Sequence, residues 1–176
     1  GPCGAAVSAT TSADTRLRGS LFNPDGSGMA GATVEIASLS NTYTVGENGQ
    51  WVLWFAPGDD TITGLHQVEF TLPDSTVFNV PSVCVVKGRE TSLPSTALRG
   101  HVLHNGVGVR DAVITITTFA QSVNTREDGS WWYYFLPNQA DQNVTVTATL
   151  PDGQSSSSPV QIISGSTVRV PSFNFP

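Results

Sequence analysis

Apolar and polar residues alternate along short stretches of this chain, and turn chemistry interrupts them roughly every 8 to 12 residues. Ala32, Val34 and Ile36 share one parity against Thr33 and Glu35, the two-residue period of a strand with one face turned inward. The same period divides two aromatic blocks. In Trp51-Val52-Leu53-Trp54-Phe55 it sends Trp51, Leu53 and Phe55 to one side, and in Trp131-Trp132-Tyr133-Tyr134-Phe135 it sends Trp131, Tyr133 and Phe135 there. Between such stretches lie Asn23-Pro24-Asp25-Gly26, Asn48-Gly49, Asn105-Gly106 and Asp128-Gly129, whose tolerance of positive φ suits tight turns. No capped helical stripe of useful length is present, so the pattern predicts an all-β chain of short strands packed as sandwiches.

The pattern is written twice. Leu17-Arg18-Gly19 returns as Leu98-Arg99-Gly100, Ala32-Thr33-Val34-Glu35-Ile36 as Ala112-Val113-Ile114-Thr115-Ile116, and Glu47-Asn48-Gly49-Gln50-Trp51 as Glu127-Asp128-Gly129-Ser130-Trp131, each about 80 positions on. Phe55-Ala56-Pro57 returns as Phe135-Leu136-Pro137, and Leu72-Pro73-Asp74 as Leu150-Pro151-Asp152. Val85-Val86-Lys87-Gly88 corresponds to Ile162-Ile163-Ser164-Gly165. The expected organisation is a leader over residues 1–15, one module over 16–94 and a second over 95–176, joined by the short Leu93-Pro94-Ser95-Thr96-Ala97 link of a semi-rigid rod. Gly1-Pro2 reads as a scar of protease processing, and Ala5 to Thr15 as a flexible leader or a donor strand for a neighbour.

Composition narrows the function. Hydrophobic residues make up 39% of the 176 residues and charged residues 12%, so a core is affordable while Ser, Thr, Asn and Gln carry the surface. No apolar run approaches the roughly 18 to 20 residues of a membrane helix. A formal net charge of -6 and one lysine, Lys87, argue against a nucleic-acid partner. Two cysteines, Cys3 and Cys84, are a candidate disulfide that the sequence leaves open.

The order of Leu-Arg-Gly, Gly-x-x-x-Ala-x-Val, Glu-Asn/Asp-Gly-x-Trp and a late aromatic-Pro step resembles the carboxypeptidase regulatory-like and Cna B-type modules. These are transthyretin-like, seven-stranded, Ig-like sandwiches. The resemblance covers residues 16–94 and 95–176 and implies an extracellular accessory or stalk module of surface proteins, pili or secreted enzymes, with no reaction of its own. Some Cna B-type modules join a first-strand Lys to a last-strand Asn or Asp. Here Arg16, Arg18, Arg99 and His101 occupy the first strands, and Arg cannot serve as the attacking amine, so no such bond is expected even though Asn174 would suit the acceptor role.

Candidate sites are few. Strand parity leaves Trp54, Trp132 and Tyr134 on the outer faces, where they would either be covered by protein or form a carbohydrate platform. His101 and His104, three apart on a strand, face opposite sides and do not chelate one ion. Acidic residues fall in loops (Asp25, Glu47, Asp59, Asp60, Glu127, Asp128, Asp141, Asp152) without calcium-loop spacing, which makes turn chemistry their first role. No serine stands in G-x-S-x-G and no paired catalytic carboxylates suggest themselves, so neither enzyme activity nor a cofactor is expected. The expectation is a cell-surface or secreted tandem module that spaces, stiffens or joins an assembly, with a protein partner or self-assembly by strand addition. Its rival is a carbohydrate-binding accessory module of a secreted enzyme.

Overall fold

The computed structural model describes Cys3, the backbone of 9–11, and residues 14–56 and 62–176. Gly1, Pro2, Asp59 and Asp60 lie outside the described residues, as does most of the Ala5–Thr15 stretch. The described structure is a set of strands with a single 3-10 turn at Ala37–Leu39, and it divides into two compact units. One unit takes the chain up to Leu21 together with Ser27–Pro94, and the other takes Phe22–Gly26 together with Ser95–Pro176.

The first unit contains β1 (Ala9–Thr11), β2 (Thr15–Ser20), β3 (Thr33–Ile36), β4 (Asn41–Thr44), β5 (Gln50–Phe55), β6 (Gly64–Thr71), β7 (Val77–Val85) and β8 (Arg89–Ser92). They form two sheets, β1-β8-β2-β5 and β4-β3-β6-β7. The second unit contains β9 (Ala97–His104), β10 (Val107–Gly108), β11 (Val113–Ile116), β12 (Val123–Asn124), β13 (Ser130–Tyr134), β14 (Gln142–Thr149), β15 (Ser155–Ile162), β16 (Thr167–Arg169) and β17 (Phe173–Phe175). There β16 and β17 both run parallel to β9, which pairs β13, while the other sheet has the order β12-β11-β14-β15. Each unit is therefore a β-sandwich in which β8-β2-β5 and β4-β3-β6-β7 of the first correspond to β16-β9-β13 and β12-β11-β14-β15 of the second, while, among the described residues, β1 belongs to the first alone and β10 and β17 to the second alone. A parallel pairing recurs in β2 with β8 and in β9 with β16.

Alternation explains the cores. Trp51, Leu53 and Phe55 of β5 are buried together with Leu17, Val34, Ile36, Val68 and Phe70, and the Trp51 and Phe70 rings, from opposite sheets, meet edge to face at 5.8 Å. In the second unit Trp131, Tyr133 and Phe135 are buried among Leu98, Ile114, Val146, Ile162, Phe173 and Phe175. Burying one such aliphatic side chain stabilises by about 1.5–3 kcal/mol, so a core of this kind holds each unit without help from helices. Close packing also dictates a glycine in each first strand. A Cβ on Gly19 would lie 2.6 Å from the Trp51 ring, and one on Gly100 would lie 2.8 Å from the Trp131 ring.

A repeated polar contact ties the first strand to the last. Buried Thr15 accepts the Gly88 N–H through its hydroxyl at 2.9 Å, and buried Thr96 accepts the Gly165 N–H at 2.8 Å. The reading of residues 1–15 as a leader is therefore revised at its end, since Thr15 opens β2. Ala9–Thr11 is likewise a strand, pairing antiparallel with β8 of its own unit in the register Ala9↔Thr91, Thr10↔Glu90, Thr11↔Arg89. Cys3 is joined to Cys84 of β7 by a disulfide, with Cα atoms 5.9 Å apart. Cys3 is thus tied to β7, the end strand of the second sheet, while β1 forms the end of the first sheet beyond β8.

Candidate binding face

The outward face of the sheet containing the first strand carries the chemistry in each unit. In the first unit, register places three residues side by side across three strands: Glu90 of β8 opposite Arg16 of β2, and Arg16 opposite Trp54 of β5. The Arg16 guanidinium lies 4.7 Å from the centre of the Trp54 ring, a cation–π contact. Glu90 approaches both arginines, Arg18 at 3.3 Å and Arg16 at 3.9 Å. One row further along, Val52 lies opposite Arg18, and Gln50, beyond it, accepts a hydrogen bond from Ser20 at 3.1 Å. Tyr43, from the edge strand of the other sheet, closes the side. Together these residues line a shallow bowl of about 220 Å³. Trp54 is 50% exposed, and Asn41 donates to its main-chain carbonyl, fixing that end of β5 against β4.

The second unit repeats the frame with different contents. Arg99 occupies the position of Arg18, Trp132 that of Val52 and Tyr134 that of Trp54. Trp132 and Tyr134 are half-buried and stack in parallel at 5.7 Å, and Arg99 lies 5.4 Å from the centre of the Trp132 ring. Partial burial pushes the Tyr134 hydroxyl up from its ordinary pKa, and burial does the same to Tyr133, whose hydroxyl donates to the Gln121 carbonyl at 3.0 Å. A smaller space of about 50 Å³, one row further along, is lined by Arg99, His101, Ser130 and Arg169 beside Trp132. Of the three aromatics assigned to outer faces by parity, Trp54 alone is exposed by more than a third, and it borders the larger space. Arg16, Arg18, Tyr43, Gln50 and Glu90 were not legible as a group, because the register that aligns three strands is a tertiary property. The one sequence signal was that Arg16 and Arg18 share a parity on a first strand.

Other candidates separate. His101 is partly buried on β9, whereas His104 is exposed with its Nε2 3.0 Å from the Pro176 carbonyl oxygen. Among the described residues no group of three or more His, Cys, Asp or Glu is placed to hold a metal. The loop acids Asp74, Asp128 and Asp152 each accept the backbone N–H two residues on, at 2.9, 2.9 and 3.0 Å. The Ser130 hydroxyl and then the Ser130 N–H hold the Asp128 carboxyl below its ordinary pKa, Thr76 acts likewise on Asp74, and the Gln154 N–H followed by its side-chain amide lowers Asp152. Asn174 of β17 is exposed, and its side chain donates to the Ser172 carbonyl. Among the described residues no helix is long and apolar enough to cross a membrane.

No protein-family model and no curated protein sequence matches the chain. Among solved structures it is similar to the Bacillus anthracis TIE protein, at 13% identity and a TM-score of 0.37, with 95% of this chain and 35% of that one covered. It is also similar to BcpA, the major pilin subunit of Bacillus cereus, at 15% identity and a TM-score of 0.33, covering 93% of this chain and 60% of that one. A third likeness is to SGBP-B of the Bacteroides ovatus mixed-linkage glucan utilization locus, solved with a mixed-linkage heptasaccharide. There the identity is 12%, the TM-score 0.21, and the coverage 85% of this chain and 46% of that one. The chain thus spans about a third of the first and three fifths of the second. With all three TM-scores below 0.5, these likenesses carry no functional conclusion.

Proposed function

We propose that the chain is a non-catalytic structural segment of a cell-surface or secreted assembly, a tandem spacer or stalk of Cna B-type modules that joins protein neighbours or further copies of itself. The observation that carries this reading is the path a pulling force takes through the first unit. Tension entering at Cys3 passes through the disulfide to Cys84, and only about ten residues then separate Cys84 from the end of the unit at Pro94, so the loop between the cysteines is bypassed. A bond that removes most of a module from the load path suits a part that is pulled. A disulfide also suits an oxidising compartment, in keeping with an extracellular place. The resemblance of the repeated motifs to stalk modules supports the same role.

Stretching single molecules by their ends tests it. With the disulfide intact, opening of the first unit should lengthen the chain by roughly 35 Å, against roughly 300 Å after reduction, at the extended span of a residue. A first unit that releases its full length while oxidised would refute the load-bearing reading.

A further inference from the structure

We propose that the bowl on the outer face of β2, β5 and β8 binds one pyranose residue of a glycan and favours a sugar that carries a carboxylate. This site would add a recognition function to the structural role and does not depend on it. Three observations lead here. The first is shape: at about 220 Å³ the bowl is smaller than the roughly 300 to 1,000 Å³ of pockets for drug-sized ligands, which limits the occupant to about one ring. The second is chemistry. Val52 and the aromatic side chains of Trp54 and Tyr43 offer an apolar surface for the C–H face of a sugar ring. Around it stand donors, the Arg16 and Arg18 guanidinium groups, and acceptors, the Glu90 carboxylate and the Gln50 amide oxygen. Hydroxyls both donate and accept, so a rim of mixed sign suits them. Two arginines against one glutamate leave a positive excess, which selects a carboxylate-bearing sugar over a neutral one.

The third observation is the internal comparison. The second unit keeps the same strand register and an arginine at the same place, yet Trp132 stands at the position of Val52 and stacks on Tyr134, the counterpart of Trp54, whose ring also meets Phe22 at 4.8 Å. No acid corresponds to Glu90 there, since Thr167 stands in its place opposite Ala97. One frame is therefore open and the other filled. Trp54, half exposed with Arg16 over its ring, offers its remaining apolar surface to a ligand in the open one.

The comparison also supplies a substitution that the fold has already accepted at the equivalent position. The oxidised full-length chain is screened on an array of neutral and uronate-bearing oligosaccharides beside an array of acidic peptides, and the best oligosaccharide is then titrated calorimetrically. Uronate-bearing sugars should bind, and Val52→Trp and Trp54→Ala should each weaken binding about tenfold or more, the scale of one lost aromatic contact. Trp132→Ala, in the filled frame, should leave affinity unchanged. Glu90→Gln should strengthen binding of the acidic sugar relative to its neutral counterpart. Thermal melts check that each variant is folded, and if Val52→Trp disturbs the first unit, Trp54→Ala at the exposed rim decides. Absence of binding to every glycan, binding to acidic peptides alone, or affinity insensitive to Trp54→Ala would each overturn the proposal.

Discussion

Glycine at two positions sets the geometry of both cores. Gly19 and Gly100 lie beneath the rings of Trp51 and Trp131, so a single added methyl must displace an indole packed on all sides. Gly19→Ala is expected to destabilise the first unit by about 1–3 kcal/mol and Gly100→Ala the second by a similar amount, each read from its own denaturation transition. An unshifted transition would mean that the indole moves aside freely. A second residue-scale expectation concerns Asp128. Its carboxyl is held below the ordinary value by the Ser130 hydroxyl and then by the Ser130 N–H, so the folded form ionises more readily than the unfolded one. The stabilisation is then complete above the unfolded pKa and disappears as pH falls through the lower folded value, in the region below about pH 4. Ser130→Ala should move the Asp128 pKa back up towards the ordinary range in an NMR titration, and an unmoved value would assign the shift to another cause. The aromatic parity was legible in the sequence because side-chain direction along a strand has a fixed period of two. Thr15 and Thr96 were not, although Thr15-Arg16-Leu17 and Thr96-Ala97-Leu98 align. A buried hydroxyl that serves a backbone N–H some 70 residues away has no local signature.

Among the elements, the edge strands separate what the pattern dictates from what pairing dictates. Both β7 and β15 lie at the end of a sheet, and both carry a proline, Pro81 and Pro159. Pro159 stands opposite Thr145, and Pro81 falls where the β6–β7 register shifts between His66 and Val68. Proline has no N–H to offer a further strand, so it protects an edge from unwanted pairing. Pro159→Val should therefore leave the fold of the second unit intact while raising its tendency to associate, seen as concentration-dependent growth in light scattering. A variant that stays monomeric would show that the serine-rich edge is protected by other means. On the first sheet, β1 does for β8 what proline does for β7, covering its outer side with a paired strand. Ala9-Thr10-Thr11, within the stretch read as a leader or a donor strand for a neighbour, pairs inside its own unit, because a strand of three residues is defined by its partner and not by its own periodicity.

At the scale of the molecule, two units with separate cores should melt as two transitions, and only one of them contains a disulfide. Replacing Cys3 and Cys84 together by Ser should lower the stability of the first unit by about 4–5 kcal/mol, the loop-entropy value for a closure of this length, and leave the second where it was in calorimetry. If both transitions fell together, the units would not be thermodynamically separate. That the chain is all β, that its blueprint is repeated, and which aromatic residues turn inward could be read from the order of residues. Those properties follow from local rules, namely the two-residue period, the turn dipeptides and the composition. Tertiary structure alone decided that Cys3 reaches Cys84, that Ala9–Thr11 closes a sheet edge, and that Glu90, Arg16 and Trp54 stand in one row. Each of these depends on which distant strands become neighbours and in what register, and that is set by the packing of the whole sandwich and not by any stretch of chain within it.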